Sequence, residues 1–170
     1  GGERVSFSSE TKAELCRVPL QKQCCALAEA YGILLYCNMF TADEIRIVTT
    51  SALLTERLPK LFRKAFGLAF DAVPAAKIRG KQTLSITNKE AIRQIFSIYG
   101  YEARGILAHH INLGVLEDNC CKAAFLRGAF LAGGSITDPA KSYHLELVTD
   151  HYNVSRETFS LLLELGFFPK

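Results

Sequence analysis

The sequence predicts an α+β fold built from two related αββαββα units, the second of them incomplete. Three observations carry this: an internal repeat at a nearly constant offset, small residues four apart on both copies of an apolar helix, and period-two alternation soon after each helix. Cys24-Cys25 and Cys120-Cys121 stand 96 residues apart, and at that offset Gly32 meets Gly128, Leu34 meets Phe130 and Phe40 meets Ile136. Further on, EIRIVTT (44–50) matches HLELVTD (144–150) at an offset of 100, as do Leu54, Leu61 and Phe62 with Val154, Leu161 and Leu162. Gly67 meets Gly166 at 99. The four extra residues fall around Asp138-Pro139-Ala140-Lys141, a turn composition that tolerates insertion.

Each element of the unit follows from local chemistry. Residues 23–37 place Leu27, Ala30, Tyr31 and Leu34 at helical spacing. Ala28 and Gly32 stand four apart, as do Ala124 and Gly128, and Ala129 and Gly133. Such stripes let two helix backbones approach closely, so the two helices are expected to pack on each other. Phe40 opens a short strand, 41–43 turns, and Ile45 and Ile47 alternate with polar neighbours as Leu145 and Leu147 do in the second copy. A helix from about Ser51 to Phe66 ends at Gly67, with Pro59 expected to kink it or delay its start. Residues 76–79 and 82–87 read as strands around Gly80-Lys81, and Asn88 caps a helix running to about Tyr99, ended by Gly100. This divides the chain into a helical extension (1–23) capped near Ser8 or Ser9 and stopped at Pro19, a first unit (24–100), a linker (101–119) with helical character near Tyr101 to His109, and a second unit (120–170) cut before its last two strands and helix.

Composition narrows the class. With 49% hydrophobic and 22% charged residues the chain fills a core, and no apolar run approaches the roughly 18 residues of a membrane span. Residues 1–100 hold 14 Lys and Arg against 9 Asp and Glu, residues 101–170 hold 6 against 8, so basic charge gathers in the first half. The six cysteines, Cys16, Cys24, Cys25, Cys37, Cys120 and Cys121, fit neither a zinc-ribbon nor a C-x-x-C spacing. They are expected to be reduced, small buried apolar groups, with no metal and no cofactor.

Residues 126–134, LRGAFLAGG, resemble the LAGLIDADG motif of homing endonucleases, and the duplicated αββαββα unit is similar to the pseudo-twofold, saddle-shaped antiparallel sheets of that fold. More narrowly, CCKAAFLRGAFLAGGSITDPAKSYHLELVTD, with SFSSETKAELCR near the start, resembles the WhiA family of bacterial regulators of sporulation and cell division. The resemblance implies the endonuclease-like N-terminal part of a cytoplasmic, nucleoid-associated transcription regulator with a role in chromosome segregation. Its helix-turn-helix domain has no counterpart in this chain.

The resemblance also frames the chemistry. Active endonucleases of this fold hold divalent metal with an acidic residue near the end of each motif helix, and a hard cation needs carboxylate oxygens. The matching positions are Cys37 and Gly133, and the motif's other acidic position falls on Leu35 and Leu131. Asp43, Asp138 and Asp150 lie on loops or strand ends. No enzyme is expected. Candidate contacts to double-stranded DNA, weak through this domain alone, are Arg46, Lys77, Arg79 and Lys81 on the outward strand positions of the first unit. Arg57, Lys60, Arg63 and Lys64 read as a solvated helix face, and His144 and Glu146 make the second unit a poorer polyanion surface. The alternative is a protein–protein or ligand-sensing module that does not bind DNA. The repeat-interface positions are Ala28, Gly32, Ala124, Gly128 and Gly133.

Overall fold

The computed structural model describes residues 7–74, 80–101, 111–137, 140, 144–149 and 151–166. At its centre two helices, α2 (Gln23–Tyr36) and α5 (Asn119–Gly133), cross in backbone contact. A Cβ placed on Gly32 would lie 2.1 Å from the carbonyl oxygen of Phe125, and one on Gly128 would lie 2.0 Å from that of Glu29. At the repeat offset Gly32 corresponds to Gly128 and Glu29 to Phe125, so these are one contact seen from its two sides. The helices are related by a pseudo-twofold axis through the crossing. Every residue of α2 from Ala28 to Tyr36 is buried, which marks a helix enclosed on all sides rather than an amphipathic surface helix.

The hairpins that follow repeat each other in register. In the first unit β1 (Met39–Phe40) pairs antiparallel with β2 (Ile45–Thr49), Met39 opposite Arg46 and Phe40 opposite Ile45. In the second, β4 (Gly134–Ile136) pairs with β5 (Leu145–Leu147), Ser135 opposite Glu146 and Ile136 opposite Leu145. The register survives because the inserted residues all lie between the strands. β2 also pairs with β3 (Gln82–Ile86), giving the order β1-β2-β3. Ile45, Ile47, Leu84 and Ile86 face the core, and Arg46, Val48, Thr83 and Ser85 alternate away from it.

α3 (Ala52–Phe66) is capped as its sequence dictates: the Ser51 hydroxyl accepts the Leu54 N–H at 3.2 Å, and Gly67 ends it at φ 68°. Gly166, after α6 (Tyr152–Glu164), takes φ 89° at the equivalent place; both positions lie in the left-handed region that favours glycine. α4 (Lys89–Ile98) starts on Asn88, whose side chain accepts the Ala91 N–H, and buries Ile92, Ile95 and Phe96. Tyr31 gathers three residues from beyond α4. Tyr31 stacks on Tyr99 with centroids 4.1 Å apart, bonds the Tyr101 hydroxyl and accepts the Asn112 N–H at 2.7 Å.

Several expectations require correction. α3 begins at Ala52 and runs through Pro59, so the proline does not set its start; burial of Leu54, Leu58, Leu61 and Phe62 outweighs the roughly 3 kcal/mol an interior proline costs. The first helix, α1, spans Phe7–Leu15. It ends short of Pro19, and Ser8 lies inside it. There the Ser8 hydroxyl caps nothing; it donates to the Ile136 carbonyl at 2.9 Å and accepts the Ile136 N–H at 2.7 Å, docking α1 on β4. The strand expected at 76–79 and most of the helical stretch expected at 101–109 lie outside the described residues.

The largest departure is Arg57, expected to be solvated and found buried. It forms a two-pronged pair with the fully buried Glu29, Nε to Oε2 at 2.8 Å and an Nη to Oε1 at 2.9 Å. Its other Nη donates to the Cys16 and Val18 carbonyls at 2.9 and 2.6 Å. Arg127, from α5, pairs with the same carboxylate. One carboxylate thus joins α2, α3, α5 and the segment after α1. Lys60, Arg63 and Lys64 do face solvent.

Removing one partner of a buried ion pair leaves an uncompensated charge. Glu29→Ala, which strands two guanidinium groups, is expected to lower stability by about 3–5 kcal/mol in chemical denaturation. Gly128→Ala, whose new methyl meets backbone that cannot yield as a side chain can, is expected to cost about 3 kcal/mol in the same measurement.

Candidate functional site

The C-terminal ends of α2 and α5 are where the sequence resemblance places chemistry. Cys37 follows α2 directly and is half-buried; its thiol donates to the Leu34 and Met39 carbonyls, both at 3.2 Å. Burial pushes that thiol up to about 12, so it stays protonated at neutral pH. Gly133 ends α5 with no room for a side chain: a Cβ there would lie 2.5 Å from the Val148 carbonyl oxygen and 3.1 Å from that of Tyr36. Leu35 and Leu131 are buried. The strand ends close over the helix ends, with the Val148 N–H donating to Gly133 at 2.9 Å and the Thr149 hydroxyl to the Leu35 carbonyl at 2.8 Å. Asp43 is exposed at the first hairpin turn, 3.8 Å from Lys89, and Asp138 and Asp150 lie outside the described residues.

Beside these ends opens a cleft of about 440 Å³, walled by α1, the end of α5, the end of β2 with the residues that lead into α3, and the residues just before β1 and β3. Lys12 and Lys81 line it together with Ser8, Ser9, Thr49, Thr50, Ser51, Asn38 and Val48, and Leu131 and Ala132 form its apolar side. Burial lowers the Lys12 ammonium from its ordinary value, and Nζ sits 5.6 Å from the centre of the Phe130 ring. Two ammonium groups among hydroxyls, with no carboxylate among the described lining residues, suit an anionic oxygen such as that of a phosphodiester.

Of the residues named from sequence, Lys81 stands in this cleft. Arg46 does not line it, though it shares the outward strand face with Val48; its side chain is 40% exposed and lies 3.9 Å from the Glu44 carboxylate. Lys77 and Arg79 lie outside the described residues. His144 and Glu146 are exposed on the second hairpin. Lys12 was not among the residues named from sequence; the docking of α1, through Ser8 on Ile136 and through Arg57 on the Cys16 and Val18 carbonyls, carries it to the cleft.

At the opposite, N-terminal ends of the same helices the sulfur atoms of Cys24, Cys25, Cys120 and Cys121 all lie within 4.8 Å of one another. This corrects the reading of the cysteines as buried apolar filler: Cys24 and Cys120 are exposed, Cys25 is half-buried and only Cys121 is buried. Burial pushes Cys25 up to about 11 and Cys121 up to about 12, whereas a hydrogen bond from Cys25 lowers Cys120. Among the described residues no other group of three or more His, Cys, Asp and Glu side chains gathers its ligand atoms in this way. Among them, too, no helix is long and apolar enough to cross a membrane.

Comparison with known proteins agrees with this architecture. Residues 122–170 match the WhiA LAGLIDADG-like domain. A probable cell division protein WhiA of Ruminiclostridium cellulolyticum is 34% identical over 94% of this chain and 53% of its own length, and one of Alkaliphilus oremlandii is 31% identical over 98% and 56%. The chain spans about half the length of these curated relatives. Full-length DUF199/WhiA from Thermatoga maritima has the same fold, with a TM-score of 0.69 at 22% identity over 95% of this chain and 51% of that one. The N-terminal LAGLIDADG domain of DUF199/WhiA matches equally well over 96% of this chain and 76% of its own.

Proposed function

The chain belongs to the WhiA family through its LAGLIDADG-like domain, and from that membership we propose that it is a non-catalytic, endonuclease-derived module that contacts double-stranded DNA within a regulator of cell division and sporulation. The observation that carries this reading is the pair of helix ends. One bears a protonated thiol and the other a glycine pressed against the Val148 carbonyl. A two-metal phosphodiester cleavage needs carboxylate oxygens at these places. What stands beside them instead is a cleft with Lys12 and Lys81, which attracts phosphate without cleaving it. Arg46 and Lys81 add basic charge on the first unit, Lys77 and Arg79 remain candidates from the sequence alone, and the second unit, with Glu146 where the first has Arg46, adds little. The interaction is therefore weak and lopsided, and in a full-length regulator a helix-turn-helix domain supplies most of the affinity. A role at the nucleoid, in the cytoplasm, in transcription and chromosome segregation follows from the same reading.

One observation favours a protein partner instead. Leu145 is 43% and Val148 60% exposed on the second hairpin, where the corresponding Ile45 is fully buried.

Fluorescence anisotropy with duplex DNA across a salt series separates the two. The DNA reading expects binding whose logarithm falls linearly with the logarithm of salt concentration. A Lys12→Ala/Lys81→Ala variant should bind at least about tenfold more weakly, with a slope shallower by about two. Absence of binding at low salt would sink it in favour of the protein partner. For catalysis, supercoiled plasmid incubated with Mg²⁺ or Mn²⁺ is expected to stay intact on gel electrophoresis; nicking that disappears with an acidic-residue substitution would overturn the assignment.

A further inference from the structure

The cysteine quartet lies at the far end of the helix pair from the lysine cleft, and nothing in the DNA-contact reading uses it. We propose that Cys24, Cys25, Cys120 and Cys121 form a tetrathiolate site for a single Zn²⁺ ion that clamps the N-terminal ends of α2 and α5 together.

The ligand set comes first. Four thiolates and no harder donor select a borderline-soft ion held tetrahedrally, the closed coordination of a structural zinc site rather than the open one of a catalytic site. Geometry comes second. A Zn–S bond of about 2.3 Å sets the edge of the sulfur tetrahedron at about 3.8 Å. The four sulfurs already lie within 4.8 Å of one another, within about 1 Å of that edge. An iron–sulfur cubane holds its ligand sulfurs farther apart than this, which favours a single ion.

Position comes third. Each pair occupies the second and third residues of its helix, after Lys22 and Asp118, and neither of those residues caps its helix with a side chain. The sulfurs thus sit in the first turns of two helices, whose positive dipole ends offset the net double negative charge of a zinc tetrathiolate. The pseudo-twofold axis explains why adjacent cysteines suffice. Because the offset of 96 relates Cys24 to Cys120 and Cys25 to Cys121, and the Gly32–Gly128 crossing holds the backbones in contact, two residues from each helix converge on one point between them.

Binding forms four Zn–S bonds and releases to solvent the protons still on the thiols; no electron is transferred and no oxidant is required. The ion would cross-link the two repeat units at residues 96 apart and so stabilise the native state by mass action.

The test is a titration of the 170-residue chain, reduced and stripped of metal, first with Co²⁺ as a spectroscopic probe and then with Zn²⁺. The expected result is one Co²⁺ per chain, with the visible d–d bands and near-ultraviolet sulfur-to-cobalt charge transfer of a tetrahedral tetrathiolate, displaced by one equivalent of Zn²⁺. Zn²⁺ should also raise the thermal midpoint and chelator should reverse the rise. Cys24 and Cys120 are exposed, so Cys24→Ser and Cys120→Ser spare the core; each should abolish the tetrathiolate spectrum, while Cys16→Ser and Cys37→Ser leave it unchanged. Three results would overturn the proposal: no such spectrum in the reduced protein with Co²⁺ in excess, a spectrum that survives in the Cys24→Ser/Cys120→Ser double variant, or peptide mapping that finds these cysteines disulfide-bonded in protein kept under reducing conditions. None of these readouts involves DNA, so the outcome is independent of the function proposed above.

Discussion

The close approach of α2 and α5 is the constraint on which the rest of the structure depends. With Gly32 set against the Phe125 carbonyl and Gly128 against that of Glu29, the two helix axes are nearer than any larger residue would permit. That distance fixes the relation of the two hairpins, since each begins within a few residues of a helix end. It also determines what can sit at the two ends of the pair. At one end there is space for strand backbone to close over Gly133; at the other, four sulfurs meet.

A crossing this tight excludes side chains from the seam, so specificity must come from its margins. Glu29 supplies it. A buried carboxylate facing two guanidinium groups tolerates little displacement, because any shift that lengthens a bond leaves charge unpaired in a low-dielectric interior. Arg57 and Arg127 approach it from different helices, and Arg57 also holds the backbone after α1 through Cys16 and Val18. Together with the Ser8 contact to Ile136, this makes α1 a strap that starts on the second unit's hairpin and ends on the first unit's α3. The lysine cleft is a consequence, since its outer wall is that strap.

Features that depend on local pattern were legible in the sequence. The caps at Asn88 and Gly67 and the insertion between β4 and β5 express themselves in residues close together along the chain, and the duplication in the same short patterns met twice. Features that depend on tertiary partners were not. Arg57 sits at a spacing shared with Lys60 and Lys64 that reads as a charged face, and nothing local distinguishes the one guanidinium with a buried carboxylate from its solvated neighbours. Glu29 was the available signal: a single acid inside a helix otherwise apolar from Ala26 to Tyr36 must find a cation. Lys12 reached its cleft through a hydroxyl contact 128 residues away in sequence, which no periodicity encodes.

The cysteines fall between these cases. Judged by spacing along the chain, two adjacent pairs match no metal motif, because linear motifs describe ligands gathered by one turn or one hairpin. Judged by the repeat, they were decisive. Residues equivalent under a twofold axis, near the start of helices that touch, must face each other across that axis. The same pair of dipeptides that reveals the duplication therefore also specifies a meeting point for its two halves. In a duplicated fold, the chemistry on the axis is to be read from one copy and doubled: one acid becomes a two-metal site in an endonuclease, and here one cysteine pair becomes a tetrathiolate. The acids and the thiols occupy opposite ends of the same two helices, so a chain with no acid at either motif position keeps the means of holding its halves together.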